Sequence, residues 1–135
     1  MDFALTEQQE LIRKEVAALA RSFSLDYWLE KDKKAEYPWD WVKAFARAGW
    51  LGMIVPEEYG GSGLGVTEAS LMLYEICAAG AGTSGAAPIH FYVFPPMPVV
   101  KHGAEALKRK YLPRIATGEI VMSFGVTEPN AGTDT

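Results

Sequence analysis

The sequence predicts a mainly α-helical fold that passes into β structure near residue 120. Apolar residues recur at helical spacing in successive segments of the first 116 residues. Glycines and prolines fall between these segments, where helices are expected to end. From Ile120 the apolar period changes to two, which is typical of a strand. With 135 residues the chain can bury roughly 68% of its unfolded surface, so a core of its own is expected.

Composition narrows the functional classes. The chain is 49% hydrophobic and 22% charged with a net charge of −4, which indicates a globular protein without a basic surface for nucleic acid. No apolar run approaches the ~20 residues of a membrane span. The lone Cys77 excludes an internal disulfide, and the N-terminus lacks a signal-peptide pattern, so a cytoplasmic protein is favoured. With only His90 and His102 besides, no metal site is predicted.

The first helix is predicted over residues 7–22. Thr6 and Gln9 form a capping-box pattern immediately before it. Apolar residues then recur at helical spacing: Ile12, Val16, Leu19 and Phe23. Residues 25–37 crowd charges of both signs without an apolar period, so we expect a solvated connector there.

The second helix is predicted to begin at Pro38 and to end at Gly49. Proline suits a first helical position, and glycine suits a left-handed cap. Tryptophans stand at both ends of this helix, and we expect them to pack at the core edge rather than form a ligand cage: Trp39, Trp41 and Trp50.

Residues 50–65 are rich in glycine, which raises the alternative of a phosphate-binding loop. The glycine spacing does not fit G-x-G-x-x-G, and no G-K-[ST] follows. Glu57 and Glu58 would also repel a phosphate. A tight connector is therefore predicted.

A buried helix is predicted over residues 67–79, because it is apolar around most of its circumference. We expect Cys77 to be an inert packed thiol on it. Small residues fill positions 80–87, and a bulky apolar helix follows at 89–94, ended by Pro95 and Pro96. Such a pattern is compatible with a pocket wall or with a packed core.

The last predicted helix covers residues 104–112, with Gly103 as the break before it. Pro113 is expected to start one more turn that ends near Gly118. The basic cluster at 108–110 is interpreted as a cationic surface rather than a phosphate site.

A strand is predicted from Ile120, with one face large and apolar and the other small. A flat ligand or another protein element would explain the small face equally well. Because no earlier segment is an obvious strand partner, we expect the chain to be truncated. The following loop combines a stiff turn at Pro129 with hydroxyls at Thr127 and Thr133, and its successive N–H groups suit an anion.

Residues 124–134, FGVTEPNAGTD, resemble the flavin-binding signature of acyl-CoA dehydrogenases. Three further stretches resemble the family in the expected order, at residues 3–9, 49–61 and 110–118. Together they cover essentially the whole chain. Asn130 replaces a common glycine of the signature, and Thr133 keeps the hydroxyl of the more usual serine.

The resemblance implies an α-helical N-terminal domain over residues 1–118 and the start of a β-barrel-like middle domain over 119–135. It implies an FAD-dependent enzyme that oxidises an acyl-CoA thioester, passes electrons to an electron-transfer flavoprotein and forms a homo-oligomer. In the family a glutamate removes the α-proton while the β-hydrogen leaves as hydride to flavin N5. That glutamate comes from later in the chain, so Glu128 is not the base. These 135 residues alone are expected not to catalyse dehydrogenation.

The resemblance also implies site residues. Those that would contact FAD are Phe124, Val126, Thr127, Gly132 and Thr133, with Thr127 hydrogen-bonding the pyrimidine edge of the flavin. Thr133 would also lie near the substrate. The floor of the acyl pocket corresponds to residues 79–98, where His90 and Phe94 add bulk that favours short, branched or aromatic acyl groups. His90 is expected to be a packed rather than a catalytic histidine. The alternatives are an acyl-CoA oxidase or related flavoprotein of the same fold, and a short non-catalytic helical binding module.

Overall fold

The computed structural model describes residues 4–133, and Phe3 and Asp134 of the matched stretches lie outside them. Within the described part the chain is mainly helical, as predicted. The helices are α1 (Glu7–Arg21), α2 (Leu25–Lys34), α3 (Trp39–Arg47), α4 (Val66–Ile76), α5 (Gly82–His90), α6 (Met97–His102) and α7 (Glu105–Ala116). Among these residues no helix is both long and apolar enough to cross a lipid bilayer.

The predicted start of α1 is confirmed. The Gln9 N–H donates to Thr6 Oγ1 at 3.2 Å, and the Thr6 N–H donates to Gln9 Oε1 at 3.0 Å, so both halves of the capping box are present. The helix packs against α4. Arg13 Nε donates to Glu75 Oε1 at 2.7 Å across this contact. That hydrogen bond raises the pKa of Arg13 and compensates a carboxylate that is only 7% exposed.

The predicted connector at residues 25–37 is wrong, because α2 occupies most of it. Ser24 Oγ caps the helix by accepting from the Tyr27 N–H at 3.3 Å. The Trp28 ring packs edge-on against Trp41, with ring centroids 5.0 Å apart. The mixed charges form ion pairs along the exposed side, for example Glu30 with Lys33 and Lys34. The contact of Trp28 with Trp41 and the Ser24 cap therefore stabilise this helix. Its many charged residues leave no apolar period that the sequence would show.

Trp41 is the centre of the core around α3. It is completely buried, and its indole N–H donates to the Gly85 carbonyl at 2.9 Å. The prediction of core packing is confirmed for Trp41 and for Trp50, which packs against the core, but it is wrong for Trp39, which is 51% exposed. Gly49 has φ 80°, which confirms its left-handed position after the helix. Pro38 precedes the helix, which begins at Trp39.

The connector at residues 50–65 is confirmed, with short 3₁₀ turns at Trp50–Gly52 and Glu57–Tyr59. It is more buried than its glycine content indicates, since Leu51, Met53, Ile54 and Val55 belong to the core.

The junction between α4 and α5 departs from the prediction. The regular helix ends at Ile76, and a wider π-type turn follows over Cys77–Ala81 with Gly80 at φ 103°. Cys77 lies on this turn and is exposed, so its prediction as a packed thiol is wrong. Cys77 itself has helical backbone angles, and it follows exposed Ser70 and Tyr74 at helical spacing, so the periodicity of α4 places it on the exposed side.

The helix predicted over residues 89–94 is wrong, because the small residues before it form α5, this helix ends at His90, and residues 91–96 form turns. The predicted break at Gly103 separates α6 from α7. Pro113 lies inside α7 instead of starting a separate turn, and the helix continues to Ala116. Gly118 has φ 76°, which agrees with the predicted end of helical structure near this residue.

Residues 120–126 do not form the predicted strand within the described chain. The β pairing present among residues 4–133 is one isolated bridge between Glu128 and Ala131. A strand requires a neighbour for its backbone groups, and residues 4–119 are helices and connectors that offer none. The predicted alternation nevertheless persists in part, because Ile120 and Met122 pack against the core.

Candidate functional site

Three rings that the sequence analysis assigned to two different parts of the site lie in a row. The His90 and Phe94 rings are stacked, with centroids 5.4 Å apart and an interplanar angle of 11°. The Phe94 ring meets Phe124 edge to face, at 5.1 Å and 81°. We call His90, Phe94 and Phe124 the aromatic row. It joins the predicted acyl-pocket floor to the predicted flavin-binding segment.

The row depends on how α5 ends. The N–H groups of Val93 and Phe94 both donate to the His90 carbonyl, at 2.9 and 3.0 Å, which extends one helical turn past the end of α5. His90 and Phe94 are four residues apart and therefore share a face. This face is exposed, so the prediction of a packed His90 is wrong, and the imidazole stacks on Phe94 at the surface. Pro95 and Pro96 are buried after them, and turn structure continues through both prolines to the start of α6 at Met97. Tyr92, on the same turn, is buried in the core, and burial raises the pKa of its hydroxyl.

In the first half of α5, the absence of a side chain at Gly85 lets the helix lie close to the core. A Cβ built at this position would overlap Ala81 Cβ and lie 3.2 Å from Trp41 Cζ2. The run of small residues therefore serves close approach, as the sequence indicated. The same approach lets the Trp41 indole reach the Gly85 carbonyl.

Beside the row is an apolar cleft of about 180 Å³. His90 and Phe94 form one wall, and α4, the connector and α6 supply the rest: Ile54, Val66, Ala69, Ser70, Leu73, Val93 and Met97. Sequence reasoning missed the α4 wall. Its members follow helical spacing, which indicates a common face but does not say which helix that face meets.

A second cleft, of about 380 Å³, lies where the segment after α7 passes the start of α3. Tyr37, Trp39 and Phe91 line it together with residues 121–123. The Tyr37 and Trp39 rings are in contact, with centroids 4.5 Å apart. The exposed Trp39 thus contributes to a surface cleft rather than to the core.

The segment that carries the signature, residues 124–133, is open to ligands. Its backbone hydrogen bonds within the described chain are the reciprocal pair between Glu128 and Ala131, at 3.0 and 3.2 Å. Phe124 is 49% exposed and Val126 42% exposed. A Cβ built at Gly125 or Gly132 would meet no atom within 4 Å, so packing inside the described chain does not require glycine there.

These features fit the FAD that the resemblance implies. A flat ring needs an accessible apolar surface with little side-chain bulk, and the flavin pyrimidine edge and pyrophosphate need hydrogen-bond donors. Unpaired N–H groups and the Thr127 and Thr133 hydroxyls can supply those donors. Within residues 4–133, no hydrogen bond or ring contact joins Val126, Thr127, Gly132 or Thr133 to the aromatic row. The structure therefore brings together three of the predicted site residues and leaves the other four separate.

Among residues 4–133 no three His, Cys, Asp or Glu side chains converge in a way that would hold a metal ion. Glu128 is exposed, next to Pro129 in the turn closed by its own pairing with Ala131.

Comparison with known proteins identifies the family. Residues 6–119 match the sequence model described as "Acyl-CoA dehydrogenase, N-terminal domain". The chain is 36% identical over 136 residues to acyl-CoA dehydrogenase FadE12 of Mycobacterium tuberculosis, covering 98% of this chain and 34% of that protein.

Two solved structures share the fold. One is a glutaryl-coenzyme A dehydrogenase in complex with glutaryl-CoA, with a TM-score of 0.86 and 29% identity over 99% of this chain and 34% of that chain. The other is described in a study of the electron transferring flavoprotein of Acidaminococcus fermentans and flavin-based electron bifurcation. It has a TM-score of 0.85 and 36% identity, covering 99% of this chain and 35% of that chain. The chain thus spans about a third of the length of the relatives it matches.

Proposed function

Because the chain belongs to the acyl-CoA dehydrogenase family, we propose that it forms the helical part and one flavin-contacting edge of an FAD-dependent acyl-CoA dehydrogenase. The observation that carries the proposal is the contact between Phe94 and Phe124. Residues assigned to substrate and residues assigned to cofactor are thirty positions apart in sequence, yet their rings touch. An enzyme of this kind needs the two sites to adjoin.

When bound, FAD would accept the hydride that leaves the β-carbon of the acyl group. The residues of this chain would bind and orient. Phe124 and Val126 would present apolar surface to the flavin ring, and Thr127 would hydrogen-bond its pyrimidine edge. The N–H groups around Gly132 and the Thr133 hydroxyl would hold the pyrophosphate. The proton-abstracting carboxylate is assigned to a later part of the family fold, and the 135 residues alone would be inactive.

The proposed substrate is a short, branched or aromatic acyl-CoA. His90 and Phe94 place two rings at the predicted pocket floor, and the adjoining cleft is small and apolar. Bulk at that position leaves little room for a long straight chain. Electrons would pass to an electron-transfer flavoprotein, and the whole protein would be a homo-oligomer, as the family resemblance implies.

Absorption spectroscopy on the full product of the gene tests the function directly. We expect flavin bands in the purified protein and their bleaching, under anaerobic conditions, on addition of isobutyryl- or butyryl-CoA. Palmitoyl-CoA should bleach them more slowly. A protein without flavin would refute the cofactor assignment and favour the non-catalytic module. Fast reoxidation of the bleached flavin in air would identify an acyl-CoA oxidase instead.

A matched pair of variants tests the cofactor edge. Thr127→Val removes one hydroxyl while keeping the shape of the side chain. The loss of one hydrogen bond, about 1 kcal/mol, should weaken FAD binding about fivefold. Thr67→Val makes the same change at an exposed position on α4 and should leave the FAD dissociation constant unchanged. Equal constants for the two variants would remove Thr127 from the site.

A further inference from the structure

We propose that Phe94 is a positioning residue, whose ring sets the orientation of Phe124 and thereby couples occupancy of the acyl cleft to the flavin-binding segment. The inference rests on the function proposed above. It adds a role for a side chain that would otherwise only fill the pocket floor. The backbones that carry the two rings are held in different ways.

Phe124 lies two residues after Met122, which packs against the core, on a stretch whose backbone is held by side-chain packing alone. Residues 121–127 make no backbone hydrogen bonds to other described residues. Side-chain packing must therefore fix this stretch against the helices, and Phe124 is held there by its edge-to-face contact with Phe94. Half of the Phe124 side chain is still exposed. The ring can thus contact Phe94 on one side and a flavin on another.

Phe94, in contrast, is held on a helical turn. Its N–H donates to the His90 carbonyl at 3.0 Å, and its ring is stacked on the imidazole of His90. Its backbone is followed by buried Pro95 and Pro96, which restrict rotation of the chain. The two rings are equally exposed, at 48% and 49%, but Phe94 is carried on a hydrogen-bonded turn and Phe124 on a segment without backbone hydrogen bonds to other described residues. The better-fixed backbone of Phe94 is therefore expected to set where Phe124 lies.

The cleft supplies the coupling. His90 and Phe94 both line it, so an acyl group inside it would touch the ring that orients Phe124. Such a group would restrict the rotamers of Phe94 and, through the ring contact, those of Phe124. The surroundings of the bound flavin would then change when the acyl cleft is occupied, although the far end of the acyl group does not touch the flavin.

The experiment uses the flavin-loaded full product of the gene and measures two quantities. The first is the FAD dissociation constant, from fluorescence of added flavin. The second is the change in flavin absorption when pivaloyl-CoA is added, an acyl-CoA that has no α-hydrogen and cannot be dehydrogenated. Neither readout is enzymatic activity. The variants are Phe94→Leu, Phe94→Tyr, Phe124→Leu and the double variant, with Tyr74→Leu as the control at an exposed aromatic residue of α4.

Phe94→Leu should weaken FAD binding about 2- to 10-fold, the range expected for one aromatic pair, and should abolish the pivaloyl-CoA absorption change. Phe94→Tyr keeps the ring and should retain both properties. The double variant should bind FAD no more weakly than Phe124→Leu alone, because Phe94 acts through Phe124. Phe94 is 48% exposed, so these variants should unfold near the wild-type temperature.

Two results would overturn the inference. In one, Phe94→Leu matches Tyr74→Leu in both readouts although the wild type binds FAD. In the other, the losses of the two single variants add fully in the double variant. A wild-type protein that binds no FAD would instead refute the proposed function, and the inference with it.

Discussion

Gly85→Ala should destabilise the protein even though it places alanine, the best helix former, inside a helix. Gly85 lies in α5, and the structure leaves no room for a methyl group there. The added Cβ would overlap Ala81 Cβ and lie 3.2 Å from Trp41 Cζ2 and 3.3 Å from Ile76 Cγ2. Trp41 and Ile76 are completely buried, so neither side chain can swing into solvent.

The magnitude follows from two opposing effects. Replacing glycine by alanine in a helix gains about 1 kcal/mol of helix propensity. Overpacking a core by one methyl group costs about 1–3 kcal/mol, and the upper end applies because the nearest neighbour is a Cβ fixed to the backbone. The net loss of unfolding free energy should be about 2 kcal/mol. For a domain of this size the midpoint of thermal unfolding should fall by about 8 °C.

Thermal unfolding followed by far-UV circular dichroism measures this midpoint. Gly125→Ala is the matched control, because it makes the same chemical change where a Cβ would have no neighbour within 4 Å. Its midpoint in the flavin-free protein should stay within about 2 °C of the wild type. If Gly85→Ala unfolds at or above the wild-type temperature, the tight approach of α5 to Trp41 is wrong. The positions of His90 and Phe94, which depend on that approach, would then be wrong as well.

Three further substitutions test other parts of the fold by the same unfolding assay. Thr6→Ala removes the side-chain cap of α1 and should cost about 1 kcal/mol, and a variant as stable as the wild type would contradict the capping box. Leu112→Ala truncates a completely buried side chain of α7 and should cost about 3 kcal/mol, whereas a loss below about 1 kcal/mol would indicate an exposed position. The hydrogen bond from Gln9 Nε2 lowers the pKa of Glu68 below its ordinary value of 4.5, so its stabilising contribution is present above that value and is lost as the pH falls through the lowered pKa. Glu68→Gln should therefore flatten the decline in stability on acidification, and an unchanged pH profile would refute this role.

Most of the helical fold could be predicted from local signals. The capping box at Thr6 and the glycines at 49 and 103 each act within a few residues, and the structure places helix ends at or next to them. The helix α2 could not be found in the same way. Its stability comes from contacts of Tyr27 and Trp28 with aromatic rings that include Trp41 of α3, and periodicity within residues 25–37 does not reveal that contact.

The site was predicted less completely, and the reason is again distance in sequence. His90, Phe94 and Phe124 were each assigned to the site by resemblance, but nothing local in the sequence says that their rings meet. The strand predicted from Ile120 shows what a local pattern can and cannot predict. An alternating pattern predicts which side chains share a face, and Ile120 and Met122 do pack inward. Alternation does not supply the neighbouring strand that the backbone requires.

The geometry of the aromatic row can be traced to the small residue at position 85. Because Gly85 has no side chain, α5 approaches Trp41 closely enough for the indole N–H to reach its carbonyl. That approach fixes the direction of the α5 axis. The helical turn after α5 then places the Phe94 ring on the same face as His90. Phe124 then packs on Phe94 without help from a backbone ladder. A methyl group at position 85 should therefore loosen the contact of Phe124 with Phe94 as well as the core, although the two positions lie 39 residues apart in sequence.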